Sequence, residues 1–216
     1  MDKHFSGWRE GRRHYLPWFG IGLAAGILLA PFGYGWAGIP FLAVACCILA
    51  FFRDFPREVR PDAALALAPA DGTVIGIERI EDTPHYEGPA LCISIFMSVF
   101  NVHVNRAPCD CRVRDVRHAP GVYKNAMTDA AGRLNESNAL WLDTDHGPVT
   151  VRQISGAVAR RIVCRAGPGS ALKQGDKFGM IKFGSRVEVY LPPNAEPLVR
   201  IGAKPRAGLA PIARFP

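Results

Sequence analysis

Two textures in the sequence predict a mainly β protein, an antiparallel β-sandwich or barrel-like domain preceded by an N-terminal apolar helical hairpin. The first is an uncharged run of 38 residues, Tyr15 to Phe52, without a single Asp, Glu, Lys or Arg. The second is the succession of short β-branched runs, punctuated by Gly, Pro and Asp, that follows Pro56 and Pro61. The 18 prolines and 22 glycines are scattered without a period, which excludes a collagen-like chain and marks many turns between short elements.

The hairpin comes first in the chain. The uncharged run exceeds the roughly 20 residues that one spanning helix needs, and Pro31, Phe32, Gly33, Tyr34 and Gly35 interrupt it. Two short helices are expected, Leu16 to Ala30 and Ile39 to Phe52, joined by a turn. They form either a tight transmembrane hairpin or a wedge that enters one leaflet and returns. Trp8, Tyr15, Trp18, Tyr34 and Trp36 lie at the ends and the turn, where amphipathic rings favour the headgroup level. Arg9, Arg12 and Arg13 precede the run and Arg53, Arg57 and Arg60 follow it, so the positive-inside rule puts both flanks in the cytoplasm. A cleaved signal peptide fits less well, because the stretch is too long and double-humped and no small-x-small site closes it. The expected division is residues 1–60 for the hairpin with its basic flanks and 61–216 for the β-rich domain.

In that domain the expected strands are Thr73 to Ile77, Leu91 to Phe96, Phe100 to Asn105, Arg112 to Val116, Ala139 to Leu142, Val149 to Ile154, Ala157 to Cys164 and Arg186 to Leu191. Val187, Val189 and Leu191 alternate with polar residues, as a strand that buries one face should. Gly175 and Asp176 are expected to turn the chain, and the polar, Ala-rich stretch from Asn125 to Asn138 reads as a loop or short helix outside the sheets.

Composition narrows the partners. With 49% hydrophobic and 21% charged residues the chain has enough apolar surface to fold. A net charge of +7 admits nucleic acid, an anionic membrane surface or an acidic small substrate. No dense Lys/Arg block with interleaved aromatics is present, so nucleic acid is set aside. The six cysteines include no CxxC pair; Cys109 and Cys111 could share a strand face, but no second pair completes a zinc site, and no metal is expected.

Three residues carry candidate chemistry. Asp71 sits in a Pro-Ala-Asp-Gly turn, His103 in the alternating stretch Asn101 to Pro108, and Ser185 in a Gly-Ser pair between Phe183 and Arg186. Each has a plain explanation: a turn aspartate, a strand histidine satisfied by a neighbour, and a bulge within a strand. Together they are a serine, a base and a carboxylate on one scaffold.

The motifs PADG (Pro69 to Gly72), FNVHVNRAP (Phe100 to Pro108), the Asn135-Glu136 pair, QISGAVARRIVC (Gln153 to Cys164) and GDKFGMIKFGSRVEVYLP (Gly175 to Pro192) resemble those of the phosphatidylserine decarboxylases, specifically their short membrane-associated branch. The resemblance spans most of the β-rich domain. One departure is Ser137, where the family pattern carries a basic residue after the Asn-Glu pair.

The resemblance implies a zymogen that cuts itself between Gly184 and Ser185, leaving a β chain, 1–184, and an α chain, 185–216, as a heterodimer open to further oligomerisation. Ser185 would attack the Gly184 carbonyl, with His103 as base and Asp71 orienting the imidazole, and would end as a covalent pyruvoyl group. The implied reaction converts phosphatidylserine to phosphatidylethanolamine and CO2 through a Schiff base, at the cytoplasmic membrane with the catalytic domain on the cytoplasmic side. Basic residues such as Arg106, Lys124 and Arg186 are open either to holding the lipid phosphate or to forming a solvated face. The competing class is a noncatalytic membrane-anchored carrier or adaptor of barrel-sandwich type. A carrier should present a hairpin lysine, and Lys182 in Met180 to Ser185 matches that poorly.

Overall fold

The computed structural model describes residues 5–124, 126, 127, 132, 134–156, 161–182 and 185–216. They form two compact units, Ser6–Phe55 and Pro56–Pro216, the latter also taking in Phe5.

The smaller unit is the helical hairpin. Helix α1 is Gly7–Leu29, α2 is Ile39–Phe51, and two 3-10 turns, Ala30–Phe32 and Gly35–Gly38, connect them. Gly33 takes φ +84°, a left-handed conformation open to glycine, and closes the first turn. Helix α1 begins nine residues before the expected Leu16. The reason lies outside its own sequence: Asp54 accepts the Gly7 N–H through Oδ2 at 3.1 Å, and the Asp54 carbonyl accepts the Trp8 indole N–H at 3.0 Å. A carboxylate at a helix N-terminus satisfies an orphan donor and faces the positive end of the helix dipole.

The two helices meet along glycines. A side chain on Gly38 would run into the Gly22 carbonyl oxygen, and one on Gly22 would come within 2.8 Å of Leu42. The large side chains point away from this seam: Leu23, Ile27, Leu28, Phe32 and Ile39 are exposed. Small residues inside and apolar bulk outside invert the pattern of a water-soluble helix pair and match helices packed in lipid. The 26-residue segment Gly7–Phe32 is long and apolar enough to cross a membrane.

The larger unit is built from antiparallel strands: β1 (Leu65–Leu67), β2 (Thr73–Ile80), β3 (Ala90–Met97), β4 (Val104–Arg106), β5 (Cys111–Ala119), β6 (Ser137–Thr144), β7 (Gly147–Ser155), β8 (Arg161–Cys164), β9 (Ala171–Leu172), β10 (Lys177–Lys182), β11 (Ser185–Leu191), β12 (Glu196–Pro197) and β13 (Pro211–Arg214). Among the described residues they make a seven-stranded sheet, ordered β2-β3-β11-β7-β6-β5-β9, and two three-stranded sheets, β4-β10-β8 and β1-β13-β12. The mainly β class with an N-terminal apolar helical pair is therefore the observed one.

The period-2 pattern explains the core. Leu91, Ile93, Ile95 and Met97 of β3, Val187, Val189 and Leu191 of β11, and Val149 and Val151 of β7 share one buried cluster. Their alternate neighbours face the other side of the sheet. The turn at Gly175 is present with φ +84°.

The strand expected over Phe100–Asn105 begins only at Val104. Before it, the Asn101 side chain accepts hydrogen bonds from both the backbone N–H and the hydroxyl of Ser98, each at 2.9 Å, and the Asn101 N–H returns to the Ser98 carbonyl. An asparagine that bonds its own backbone neighbourhood offers the chain a turn in place of a ladder. Of the strand expected over Ala157–Cys164, Arg161–Cys164 is strand and residues 157–160 lie outside the described residues. Within the expected 125–138 loop, β6 already begins at Ser137, and residues 125, 128–131 and 133 lie outside the described residues.

Candidate active site

Ser185 opens β11, in the middle of the seven-stranded sheet, paired with Met97 on β3 and with Ser155 on β7. The alternation that buries Val187 and Val189 carries Ser185 onto the same face, and it has no exposed surface. Its hydroxyl lies 3.4 Å from the Met97 sulfur. A thioether is a weak acceptor, so this contact holds the hydroxyl proton loosely. Gly184 and Phe183, on the other side of the expected cleavage point, lie outside the described residues.

His103 is also fully buried, immediately before β4. Its carbonyl receives the Ile181 N–H at 3.4 Å, and the next residue, Val104, pairs with Met180 on β10. Met97 pairs with Ser185 just beyond the end of β10. Residues 98–103 cross from β3 of the large sheet to β4 of the β4-β10-β8 sheet, and β10 of that sheet is followed in sequence by β11 of the large one. His103 ends that crossing, and Ser185 begins β11. The His103 Nδ1 is 2.9 Å from the Asn101 carbonyl oxygen. A carbonyl only accepts, so Nδ1 carries the proton and Nε2 the basic lone pair.

Asp71 has a different partner from the expected imidazole. Its carboxylate is gripped at both oxygens by Arg57, at 2.6 and 2.8 Å, and accepts the Ala207 N–H at 2.7 Å. Arg57 also donates to the Ala207 carbonyl at 2.7 Å. The pair is buried, so Arg57 belongs to this clamp rather than to a solvated basic flank. The position where an orienting carboxylate would bind His103 is taken by Asn101. Asp71 fixes a turn whose Pro69 carbonyl accepts the Arg106 N–H at 2.9 Å and the Asn105 side-chain amide at 3.4 Å. Gly72 completes that turn because any side chain there would strike the Phe96 carbonyl oxygen on β3.

From the same junction a chain of buried amides runs across the sheet. Asn105 Nδ2 approaches the Met97 sulfur at 3.9 Å, its Oδ1 accepts from Gln153 Nε2 at 2.8 Å, and Gln153 Oε1 accepts from Asn138 Nδ2 at 3.2 Å. Three stretches distant in sequence, around Pro69, Asn105 and Gln153, are joined beside Ser185 by this chain.

Comparison with known proteins decides the family. The phosphatidylserine decarboxylase family profile matches residues 44–213. The chain belongs to the phosphatidylserine decarboxylase family. It is 46% identical over 190 residues to the phosphatidylserine decarboxylase proenzyme of Nitrosomonas eutropha, covering 87% of this chain and 88% of that one. The proenzyme of Nitrosomonas europaea is 45% identical over 199 residues, 91% and 92% of the two chains. That of Ralstonia pickettii is 45% identical over 197 residues, 91% of each.

Within this phosphatidylserine decarboxylase architecture, several residues take roles that the sequence reading did not assign. Met97, Asn105 and Gln153 were legible only as polar or soft residues at buried strand positions. Asn135 holds both the N–H and the carbonyl of Lys124, at 2.9 and 2.8 Å, and donates to the Ser155 carbonyl at 2.7 Å. Glu136 accepts from Tyr123 at 2.8 Å and lies 3.0 Å from His118 Nε2. The Asn-Glu pair therefore braces residues 122–124 onto the end of β7.

The basic candidates separate. Arg186 is half-buried, paired with Glu188 at 2.9 Å and donating to the Ser94 hydroxyl at 2.8 Å, and Arg106 donates to the Gly175 carbonyl at 2.9 Å. Lys124 is exposed. Burial raises the Cys109 thiol and pushes Cys111 up to about 12, so both stay protonated. Among the described residues no group of three or more His, Cys, Asp or Glu is arranged to hold a metal ion.

Proposed function

We propose that the chain is a proenzyme that cuts itself between Gly184 and Ser185 and, with the pyruvoyl group so formed, decarboxylates phosphatidylserine to phosphatidylethanolamine at the cytoplasmic membrane. The reading rests on one observation above all: a fully buried serine at the head of β11, beside the crossing that carries a buried histidine, in a chain of this family.

The self-cleavage uses the chain's own groups. His103 Nε2 takes the Ser185 hydroxyl proton as Oγ bonds to the Gly184 carbonyl carbon, and returns it to the Ser185 nitrogen as the peptide C–N bond breaks. The amide has become an ester. Loss of the Ser185 α-proton expels Oγ as part of the Gly184 carboxylate. The enamine left behind rearranges to an imine, and water replaces its nitrogen as ammonia. Asp71 is a positioning residue here: through Arg57 and Ala207 it holds the turn on which Asn105 and Arg106 are hung.

The surroundings of Ser185 fit the product group. Its side chain is packed beside Met97, so the methyl group formed there takes the space of the hydroxymethyl group without opening the core, while a ketone carbonyl forms at Cα where the nitrogen was. Such a carbonyl supplies an electrophile for the serine-headgroup amine and a sink for the electrons released with CO2. The two cleaved chains stay associated as a heterodimer, because β11 is paired along its length with β3 on one side and β7 on the other, and β13 pairs with β1. The apolar hairpin tethers the enzyme in the bilayer where the substrate is concentrated, with both ends on the cytoplasmic side.

The test is the intact mass of the purified full chain beside its Ser185→Ala variant, followed by a phosphatidylserine decarboxylation assay. Two wild-type fragments are expected, the smaller starting at position 185, blocked to amine reagents and lighter by one ammonia than a serine-terminated chain. Ser185→Ala is expected to stay whole and inactive. A folded wild-type chain that remains whole overturns the reading and favours the adaptor class.

A further inference from the structure

The end of the seven-stranded sheet that carries Ser185 has an apolar rim. Met97 ends β3, Ser185 begins β11 and Ser155 ends β7, all three in register, and Ser137, which begins β6, pairs with Ile154, one residue before the end of β7. The connection 98–103 and the described parts of the β5–β6 connection, residues 120–124 and 134–136, therefore lie at the same end. Phe100 on the first is 83% exposed, and Val99 beside it is 43% exposed. On the second, Val122, Tyr123 and Leu134 are between 42% and 50% exposed. Neighbouring strands are about 4.8 Å apart, so the three strand steps from β3 to β6 bring the two groups within about 15 Å.

We infer that this rim is a second membrane contact, separate from the hairpin, in which Val99 and Phe100 enter the headgroup–acyl boundary of the bilayer and place the mouth of the catalytic site at headgroup depth. The occupant is a lipid surface for three reasons. The family's substrate is itself a bilayer lipid, and in this respect the inference rests on the proposed function. Ser185 begins β11 opposite Met97, where β3 leads into the 98–103 turn, so the rim lies at the same sheet end as the serine. Exposed Lys124 follows Tyr123 directly, and the chain as a whole carries +7, so the rim combines apolar tips with a cation suited to anionic headgroups.

The turn that carries the tips is also the turn that holds the base. Asn101 binds Ser98 through its side chain and receives His103 Nδ1 at its carbonyl, so Val99 and Phe100 are displayed by a rigid loop one residue away from the His103 contact. Seating the tips in the bilayer fixes the height of His103 above the acyl chains.

The experiment compares the processed full-length enzyme with the double variant Val99→Ser, Phe100→Ser on two substrates: phosphatidylserine in phosphatidylcholine vesicles, and a short-chain phosphatidylserine below its micelle concentration. On vesicles kcat/KM is expected to fall about tenfold or more, and on the soluble lipid to stay within about twofold. An equal loss on both substrates, or no loss on vesicles, overturns the inference. If the double variant fails to fold or process, Phe100→Trp in full-length protein gives an independent reading. It is expected to show more tryptophan quenching by brominated acyl chains than wild type, and unchanged quenching places position 100 in water and overturns the inference. Wild type that decarboxylates neither substrate defeats the functional reading instead, while the quenching experiment still decides the docking.

Discussion

Ser185 faces Met97 across the β11–β3 pair, with its hydroxyl 3.4 Å from the Met97 sulfur and neither residue exposed. Met97 is the last residue of β3 before the turn to His103. Met97 therefore packs against Ser185, contacts Asn105, and ends the strand that leads to His103.

Met97→Leu keeps volume and removes only a weak acceptor, so it is expected to cost less than about 1.5 kcal/mol. Met97→Ala leaves a cavity beside Ser185 and is expected to cost about 2–5 kcal/mol. Denaturant titration in a Ser185→Ala background separates these costs from self-cleavage. Equal costs would show that the space collapses around the deletion.

The Arg57–Asp71 clamp predicts that each partner alone is expensive to remove. Asp71→Ala and Arg57→Ala are each expected to lose about 3–5 kcal/mol, because either leaves an uncompensated buried charge. The double variant is expected to lose much less than the sum. If Asp71 instead oriented His103, Asp71→Ala would abolish self-cleavage while Arg57→Ala left its rate unchanged, which a time course of chain cleavage would reveal.

Gln153 joins Asn105 to Asn138 in the buried amide chain. Gln153→Met keeps the length of the side chain but orphans Asn105 Oδ1 and removes one acceptor from Asn138 Nδ2. The expected cost is about 1–3 kcal/mol for the orphaned group. Gln153→Glu is expected to fare worse, since it buries a charge next to the Asn105 carbonyl oxygen. Melting temperatures of the unprocessed variants check both.

Stability should depend on pH through His85. Burial against Tyr190 and Trp141, with repulsion from Arg152 and Arg117, lowers His85 from 6.5 to about 4. The unfolded chain takes up this proton near pH 6.5 and the folded chain only near pH 4. Between those values the unfolded state binds more protons, so stability falls as pH falls. The contribution of this group is on the order of 3 kcal/mol. Thermal melts of Ser185→Ala protein through this range should show the loss, and His85→Gln should flatten that part of it.

The sequence by itself determined the mainly β class, the apolar helical pair at the N-terminus and the strand faces. The uncharged run of 38 residues marks the apolar hairpin, and the alternation of Val187, Val189 and Leu191 marks a strand that buries one face. The motifs also pointed to Ser185, His103 and Asp71 as the residues to examine. What those residues touch was decided by tertiary structure. Helix α1 starts at Gly7 because Asp54, 47 residues away, caps it. Residues 100–103 look like a strand by pattern, yet the Asn101 side chain turns them. Asp71 closes on Arg57 and on Ala207, 136 residues away, rather than on His103. Hydrophobic periodicity reports a local preference for helix or strand and for one face over the other. The partner of a buried polar group depends on which distant backbone the topology brings within 3 Å, and no local pattern encodes that.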